Sequence, residues 1–564
     1  MKLDRRSFIG ASAVTTIGVS ALVESAKAAV GEYEATGDLP KPSLAKIDQY
    51  VGQHIQDWGL PGMTAVVSSP DGTGYVRRGF ADVSAKAPFR ADHLVQIGSI
   101  SKMMASLTMW SICEEGKASR DTKILDILTG LKINGGDAIT IQHLMNHTSG
   151  LPRDAPMVLD DGLWVGFEPG SHWEYCNLGY RMLGTAIEVL DGRPFADAVA
   201  DRVFRPIGMT ASKGAIRSSD RDGYAVGHQP ARLDRPTLRP TDLAASPWIN
   251  YDGASGCIAS TAADMGKFVR FLSGLSDGKG GGVLSDEGAK QFLETGADAP
   301  GWSPGAVYAN GIALLTIDGR RYLHHTGGMA NFSSSILVDR KTGVGAFATT
   351  NMHYARNYRP RGVTKFACDA IVASIEGSEA SIPDDTKPTV DEPKKYERTY
   401  VAADGEKFSI QSSKDVLTLV EGDRRFDLQF VGGAGFATDH PMFADTGIDV
   451  ELEGDAPQRA WIGSKEYLAE GSGATYSTAF DGHEAYVGIY GNDDRSGLST
   501  RVTVRGDRLR LTSAGYATDL ERDGAGWRIA GDNPTGARVS FDGKVAGVYR
   551  RMIGSGEASY RRFG

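Results

Sequence analysis

Residues 96–107 read QIGSISKMMASL. Ser99 stands three places before Lys102, and positions i and i+3 of a helix share one face. Met103, Met104, Ala105, Leu107 and Met109 are good helix formers with much apolar surface, so the stretch predicts a helix that sets the two side chains next to each other. An amine buried beside a hydroxyl can lose its proton and serve as its base, which makes Ser-x-x-Lys a nucleophile–base unit in principle. The spacing alone decides nothing, because Ser43/Lys46 and Ser276/Lys279 share it.

A nucleophilic serine also needs an oxyanion site and a group to protonate the leaving atom. The segment PGSHWEYCNLGYRMLGTAIE, residues 169–188, carries Tyr175 and Asn177 on either side of Cys176. In an extended segment that spacing points both side chains to one face. A tyrosine beside an ammonium can have its pKa lowered and work as an acid or base. Asn177 is able to hydrogen-bond Lys102 and a substrate carbonyl. Tyr-x-Asn recurs at Tyr308/Asn310 and Tyr490/Asn492, so it too occurs by chance. Further on, His325-Thr326-Gly327-Gly328 continues an apparent strand. Glycines let a substrate approach the strand edge, and the Gly328 N–H can face an oxyanion. His143 and His147 are four apart but lack the glutamate of a metalloprotease helix, so they read as structural. No metal site and no cofactor is indicated.

Taken together, Ser99-Ile100-Ser101-Lys102, Tyr175-Cys176-Asn177 and His325-Thr326-Gly327 resemble, in order and spacing, the serine β-lactamase/penicillin-binding-protein superfamily. The likeness is to its branch of class C β-lactamases, D-alanyl-D-alanine carboxypeptidases, D-aminopeptidases and esterases, where His-x-Gly often stands for Lys-Thr-Gly. Flanking segments extend it: ITIQHLMNHTSGLP at 139–152, FRPIGMTAS at 204–212 and ASGCIASTAADMGKFVRFL at 254–272. It covers about residues 40–375. The resemblance implies an α+β domain, one antiparallel sheet flanked by helices. It implies that Ser99 attacks a carbonyl and becomes acylated, with Lys102 and Tyr175 sharing the proton work. The backbone N–H groups of Ser99 and Gly328 would form the oxyanion hole, and Asn177 would orient Lys102 and substrate. Thr326 and Gly327 would line the substrate site, and His325 would lend polar or partly positive character near a substrate carboxylate. A histidine where a lysine is usual argues against a dedicated β-lactamase. Cys176 points away and has no assigned role.

Around this core the 564 residues leave room for two or three domains. The N-terminus carries Arg5, Arg6 and Phe8, an apolar run to Val23 and Ala26-Lys27-Ala28, which resembles a twin-arginine export signal over 1–28 with cleavage near Ala28. A periplasmic or otherwise exported chain without a lasting membrane anchor follows from that reading. Four scattered cysteines read as free buried thiols, and a net charge of −9 does not favour a nucleic-acid partner. The Pro-rich, charged tract 376–395 reads as a linker. Beyond it two β modules, 396–480 and 481–564, are predicted as small barrels from an internal repeat. Tyr396-x-x-x-Tyr400 matches Tyr486-x-x-x-Tyr490; Leu417/Leu419 match Leu509/Leu511; Gly433-Ala434-Gly435-Phe436 matches Gly524-Ala525-Gly526-Trp527. Such a pair resembles the architecture of D-aminopeptidase. It implies a peptidase or amidase on short, D-residue-containing or linearised cyclic peptides. A carboxylesterase is the first alternative; a β-lactamase or D-alanyl-D-alanine carboxypeptidase, and a non-enzymatic acylated sensor, are further ones. The loops 151–166 and 215–250 are candidate pocket rims, with Trp164 and Phe167 read as core or pocket.

Overall fold

The structure is a computed structural model that describes residues 31–563, except 156, 159–161, 239–242, 330, 353–357, 385–389, 391, 415, 434, 493–498, 514–515, 525, 532–537, 543–548 and 554–559. The export-signal reading at 1–28 falls outside the described residues.

Alternation along the strands explains the first layer system. In β2 (Gly62–Ser69) Ala65 and Val67 face one way and Val66 the other; in β8 (Phe332–Asp339) Leu337 opposes Ile336 and Val338; in β9 (Gly345–Thr350) Ala346 and Ala348 oppose Phe347. A strand apolar on both faces must be covered on both. Helices α1 (Lys41–Trp58) and α5 (Arg361–Ile375) cover one face through Leu44, Ile47, Val363 and Phe366. Helices α2 (Ser101–Glu114) and α4 (Ala262–Ser276) lie in the core of the other. The remaining strands are β1 (Glu32–Gly37), β3 (Gly72–Asp82), β4 (Ala297–Asp298), β5 (Val307–Tyr308), β6 (Ala313–Ile317) and β7 (Arg320–Met329). With a short strand Ala87–Pro88 on β3 they make a ten-stranded sheet, ordered β1-β3-β2-β9-β8-β7-β6-β5-β4. Every neighbouring pair is antiparallel. The expected helix-flanked antiparallel sheet is therefore present. Helix α2 is buried on all sides from Ser101 to Ile112, which is what an apolar helix at the centre of a large domain requires.

The two C-terminal β modules are both eight-stranded antiparallel meanders. The second closes into a barrel from Gly488–Asn492 round to Tyr560–Phe563. In the first, strand Arg398–Ala402 pairs with Lys465–Ala469 as first with last. Its ring is completed by a single bridge, Phe436 to Ile448, between the fifth and sixth strands. The repeat read from the sequence maps onto equivalent places. Leu417/Leu419 and Leu509/Leu511 lie buried on the third strand of each module, and Phe436 and Trp527 on the fifth. The hydroxyls of Tyr400 and Tyr490 each donate to the carbonyl four residues back, Tyr396 and Tyr486, at 2.8 and 2.6 Å. In the described part of the 376–395 tract the only regular element is a 3-10 turn that starts at Pro393.

Both modules meet the helix-flanked domain at residues 234–238. The buried Asp234 accepts from Arg235 and, at 2.9 Å, from Arg501 of the second module. Arg235 also pairs with Asp445 of the first, where Leu238 packs on Val431 and Ala437.

Candidate active site

Ser99 does not lie in α2 itself. It occupies a 3-10 turn, Gly98–Ile100, that runs straight into the helix, and the i, i+3 relation survives the join. Gly98 has φ +56, and a Cβ on it would fall 2.6 Å from the Gly328 nitrogen. A Cβ on Gly327 would fall 1.9 Å from the Ile97 carbonyl oxygen. Only glycines allow the turn and β7 to approach so closely, which brings the backbone of Gly328 against the turn that carries Ser99.

Lys102 is completely buried, and its Nζ has three hydrogen-bond partners: Ser99 Oγ at 3.0 Å, Asn177 Oδ1 at 2.8 Å and the Ser255 carbonyl at 2.7 Å. Burial outweighs the nearby carboxylate of Asp154 and brings the amine down to about 7. A neutral amine has two N–H donors and one lone pair. The carbonyls of Asn177 and Ser255 can only accept, so they take both N–H groups, and the lone pair is left facing the Ser99 hydroxyl.

Asn177 opens helix α3 (Asn177–Asp191) instead of lying in an extended run with Tyr175. The reason is Cys176, whose thiol caps the helix: Sγ accepts from the Gly179 N–H at 3.2 Å and donates to the Pro152 carbonyl at 3.3 Å. The view of Cys176 as a residue without a role is corrected here. Asn177 Nδ2 donates to Asp154 at 2.9 and 3.2 Å. Tyr175 hydrogen-bonds Ser99, and its ring lies 4.9 Å from Lys102 Nζ. Burial raises its pKa, the reverse of the lowering expected from a neighbouring ammonium, so Tyr175 keeps its proton near neutrality.

His325 is also corrected. It is fully buried; Nδ1 donates to the Thr326 carbonyl at 2.6 Å, and Nε2 therefore accepts from the Tyr308 hydroxyl at 2.8 Å. Burial lowers its pKa to about 3, so it carries no positive charge toward a substrate. Thr326 and Gly328 are half-buried beside it on β7. Tyr175 stacks on Trp302 at 6.0 Å, and Trp302 also covers His325 at 4.9 Å. His147 completes the aromatic wall, 4.3 Å from Tyr175, and its Nδ1 accepts from the Cys176 N–H. His143 shares a capping box with Thr140, the structural part expected of it.

Sequence reasoning missed Asp154, Ser255, Trp302 and Tyr308. Tyr308 was in view, in a Tyr-x-Asn set aside as chance; Asp154 and Ser255 stood inside segments already quoted as rim and flank. Trp164 and Phe167, weighed for the pocket, are half-buried elsewhere: Trp164 on a short strand beside Asn134, Phe167 against His172. Of the other Ser-x-x-Lys pairs, Ser43 donates to the Ala370 carbonyl while Lys46 pairs with Glu379. All four cysteines are free.

The sequence profile of the family described as Beta-lactamase matches residues 47–364, more than half of the chain. The chain belongs to the beta-lactamase family. Members of this family are serine hydrolases, and every site residue named above lies within the matched span. Among similar proteins, penicillin-binding protein 4* of Bacillus subtilis (strain 168) is 30% identical over 219 residues, 34% of this chain and 48% of that protein. Penicillin-binding protein 4 of Amycolatopsis lactamdurans is 29% identical over 291 residues, 47% of this chain and 74% of that one. The chain thus spans about half the length of the first relative. Among solved structures, the octameric penicillin-binding protein homologue from Pyrococcus abyssi aligns with TM-score 0.54 at 18% identity, covering 84% of this chain and 99% of that one. The D-amino acid amidase from Ochrobactrum anthropi SV3 with D-phenylalanine gives 0.50 at 23%, covering 60% and 99%. These likenesses are of fold.

Proposed function

We propose that this beta-lactamase family protein is an exported hydrolase that forms an acyl-enzyme on Ser99 and acts as a peptidase or amidase on short, D-residue-containing or linearised cyclic peptides. The observation that carries the reading is the arrangement at Lys102, a buried amine brought to about 7 whose two carbonyl partners leave its lone pair for Ser99. As Oγ attacks the substrate carbonyl, its proton passes to Lys102. The developing oxyanion takes hydrogen bonds from the N–H groups of Ser99 and Gly328. Tyr175, which keeps its proton, donates to the leaving nitrogen and is reprotonated from the Lys102 ammonium. Water then attacks the ester, and the proton transfers run in reverse. The neutral His325 and the aromatic wall of Trp302 and Tyr175 support an apolar acyl group without a fixed cation to hold an anionic lactam. A D-amino acid amidase among the proteins that share the fold supports the amide class. Export rests on the paired Arg5-Arg6 ahead of Phe8 and the apolar run after them.

The test is a hydrolysis screen of the mature protein and its Ser99→Ala variant on D- and L-aminoacyl amides, short peptides, p-nitrophenyl esters and nitrocefin. Amide or peptide turnover that disappears in Ser99→Ala is the expected result. Ester turnover alone would replace the peptidase reading with an esterase.

A further inference from the structure

Asn177 can serve Lys102 with its oxygen or with its nitrogen, because the two ends of a side-chain amide are nearly the same shape. Only the oxygen is useful to a neutral base. An –NH2 end turned toward Lys102 would compete with the Ser99 hydroxyl for the amine's lone pair. Something must therefore hold the amide one way round. Asp154 sits on the far side, accepting from Nδ2 at 2.9 Å with one oxygen and at 3.2 Å with the other. A carboxylate can only accept, so it selects the nitrogen end and leaves Oδ1 for Lys102 at 2.8 Å. We infer that Asp154 is a positioning residue that fixes the orientation of Asn177 and, through it, the lone-pair direction of Lys102. This rests on the reading of Lys102 as the base.

The loop that carries Asp154 is held independently of its side chain. The Arg153 carbonyl accepts the backbone N–H groups of Asn177 and Leu178 at 2.8 and 3.1 Å, and Arg181 donates to the Ala155 carbonyl. Substitution at 154 therefore leaves the loop in place. Asp154 is 32% exposed, with the Arg153 Nε 3.7 Å away. Its charge also favours the protonated form of Lys102, against the opposing charges of Arg153 and Arg181. The other titratable groups around the amine are neutral near pH 7. His147 and His325 are lowered by burial; Tyr175, Tyr180, Tyr251, Tyr308, Cys176 and Cys257 are raised by it.

Two variants of the full chain separate orientation from charge. In Asp154→Asn the new amide oxygen can still accept from Asn177 Nδ2, but its –NH2 can also meet Asn177 Oδ1, so a hydrogen bond stays while the charge goes and the choice of end is no longer enforced. The acid limb of kcat/KM then moves to lower pH, and the ratio of kcat/KM at pH 6 to that at pH 8 rises several-fold over wild type. In Asp154→Ala the orientation is released, and the plateau kcat falls about tenfold to a hundredfold, as expected for a lost charge-assisted hydrogen bond. Both variants keep a thermal midpoint close to wild type. The Lys102 titration, followed by NMR of its ε-carbon, reads the same charge effect without any turnover, so the influence of Asp154 on the amine is tested even if wild type shows no acylation. A wild-type plateau in Asp154→Ala, or an unmoved Lys102 titration in Asp154→Asn, would overturn the inference. So would equal losses of activity in both variants that follow a fall in folded fraction.

Discussion

Two regions of this molecule bury polar side chains in opposite ways. In the β modules Tyr400 and Tyr490 are fully buried, and each hydroxyl is satisfied by a carbonyl four residues back on its own segment. At the site, Lys102 is equally buried, yet its partners come from Asn177 and Ser255, 75 and 153 residues away. The local bond steadies a strand and leaves the hydroxyl inert. The long-range bonds converge on an amine, remove its solvent and set its lone pair toward a hydroxyl. A buried polar group becomes chemistry when distant elements agree on its direction.

The sharpest way to break the contrast is at the nucleophile. Ser99→Ala is expected to lower kcat on the order of 10⁴-fold or more, with fluorophosphonate labelling lost and the fold kept. At Lys102 an arginine keeps the positive charge and cannot give up its proton, so Lys102→Arg should lose roughly 10³-fold in the acylation rate and show no acid limb near neutrality. Gly98→Ala forces a side chain into a left-handed backbone position and against the Gly328 nitrogen, spoiling the paired amides. Its kcat should fall about 10²-fold, with KM changed much less, in steady-state assays. The modules give the smallest effects. Tyr400→Phe and Tyr490→Phe each remove one local hydrogen bond, costing about 1 kcal/mol in chemical denaturation and leaving kcat/KM unchanged. A larger loss of activity in either would mean that the modules reach the site.

The same contrast explains what could be read in advance. The Tyr-x-x-x-Tyr repeat was legible because the bond it makes is contained in five residues. The strand through His325-Thr326-Gly327-Gly328 was legible as an extended run, and it is β7. Ser99 and Lys102 share a turn and were legible for the same reason. Asp154, Ser255 and Tyr308 were not, because nothing near them in the chain records which distant group they meet. The directions of the Tyr175 and His325 shifts followed suit: both are set by burial within an aromatic wall assembled from loops at 147, 175 and 302, and burial outweighs the neighbouring charge. Cys176 was misread because its role depends on a helix starting at Asn177, one residue after an extended stretch.

The most direct test of Lys102 as base is the pH dependence of Ser99 acylation, measured as the rate of fluorophosphonate labelling of the wild-type protein under pseudo-first-order conditions. Protonation below about 7 removes the lone pair, so the rate should rise through one acid limb near that pH and then level off. A limb near the ordinary lysine value of 10.5, or a rate indifferent to pH across this range, would contradict it.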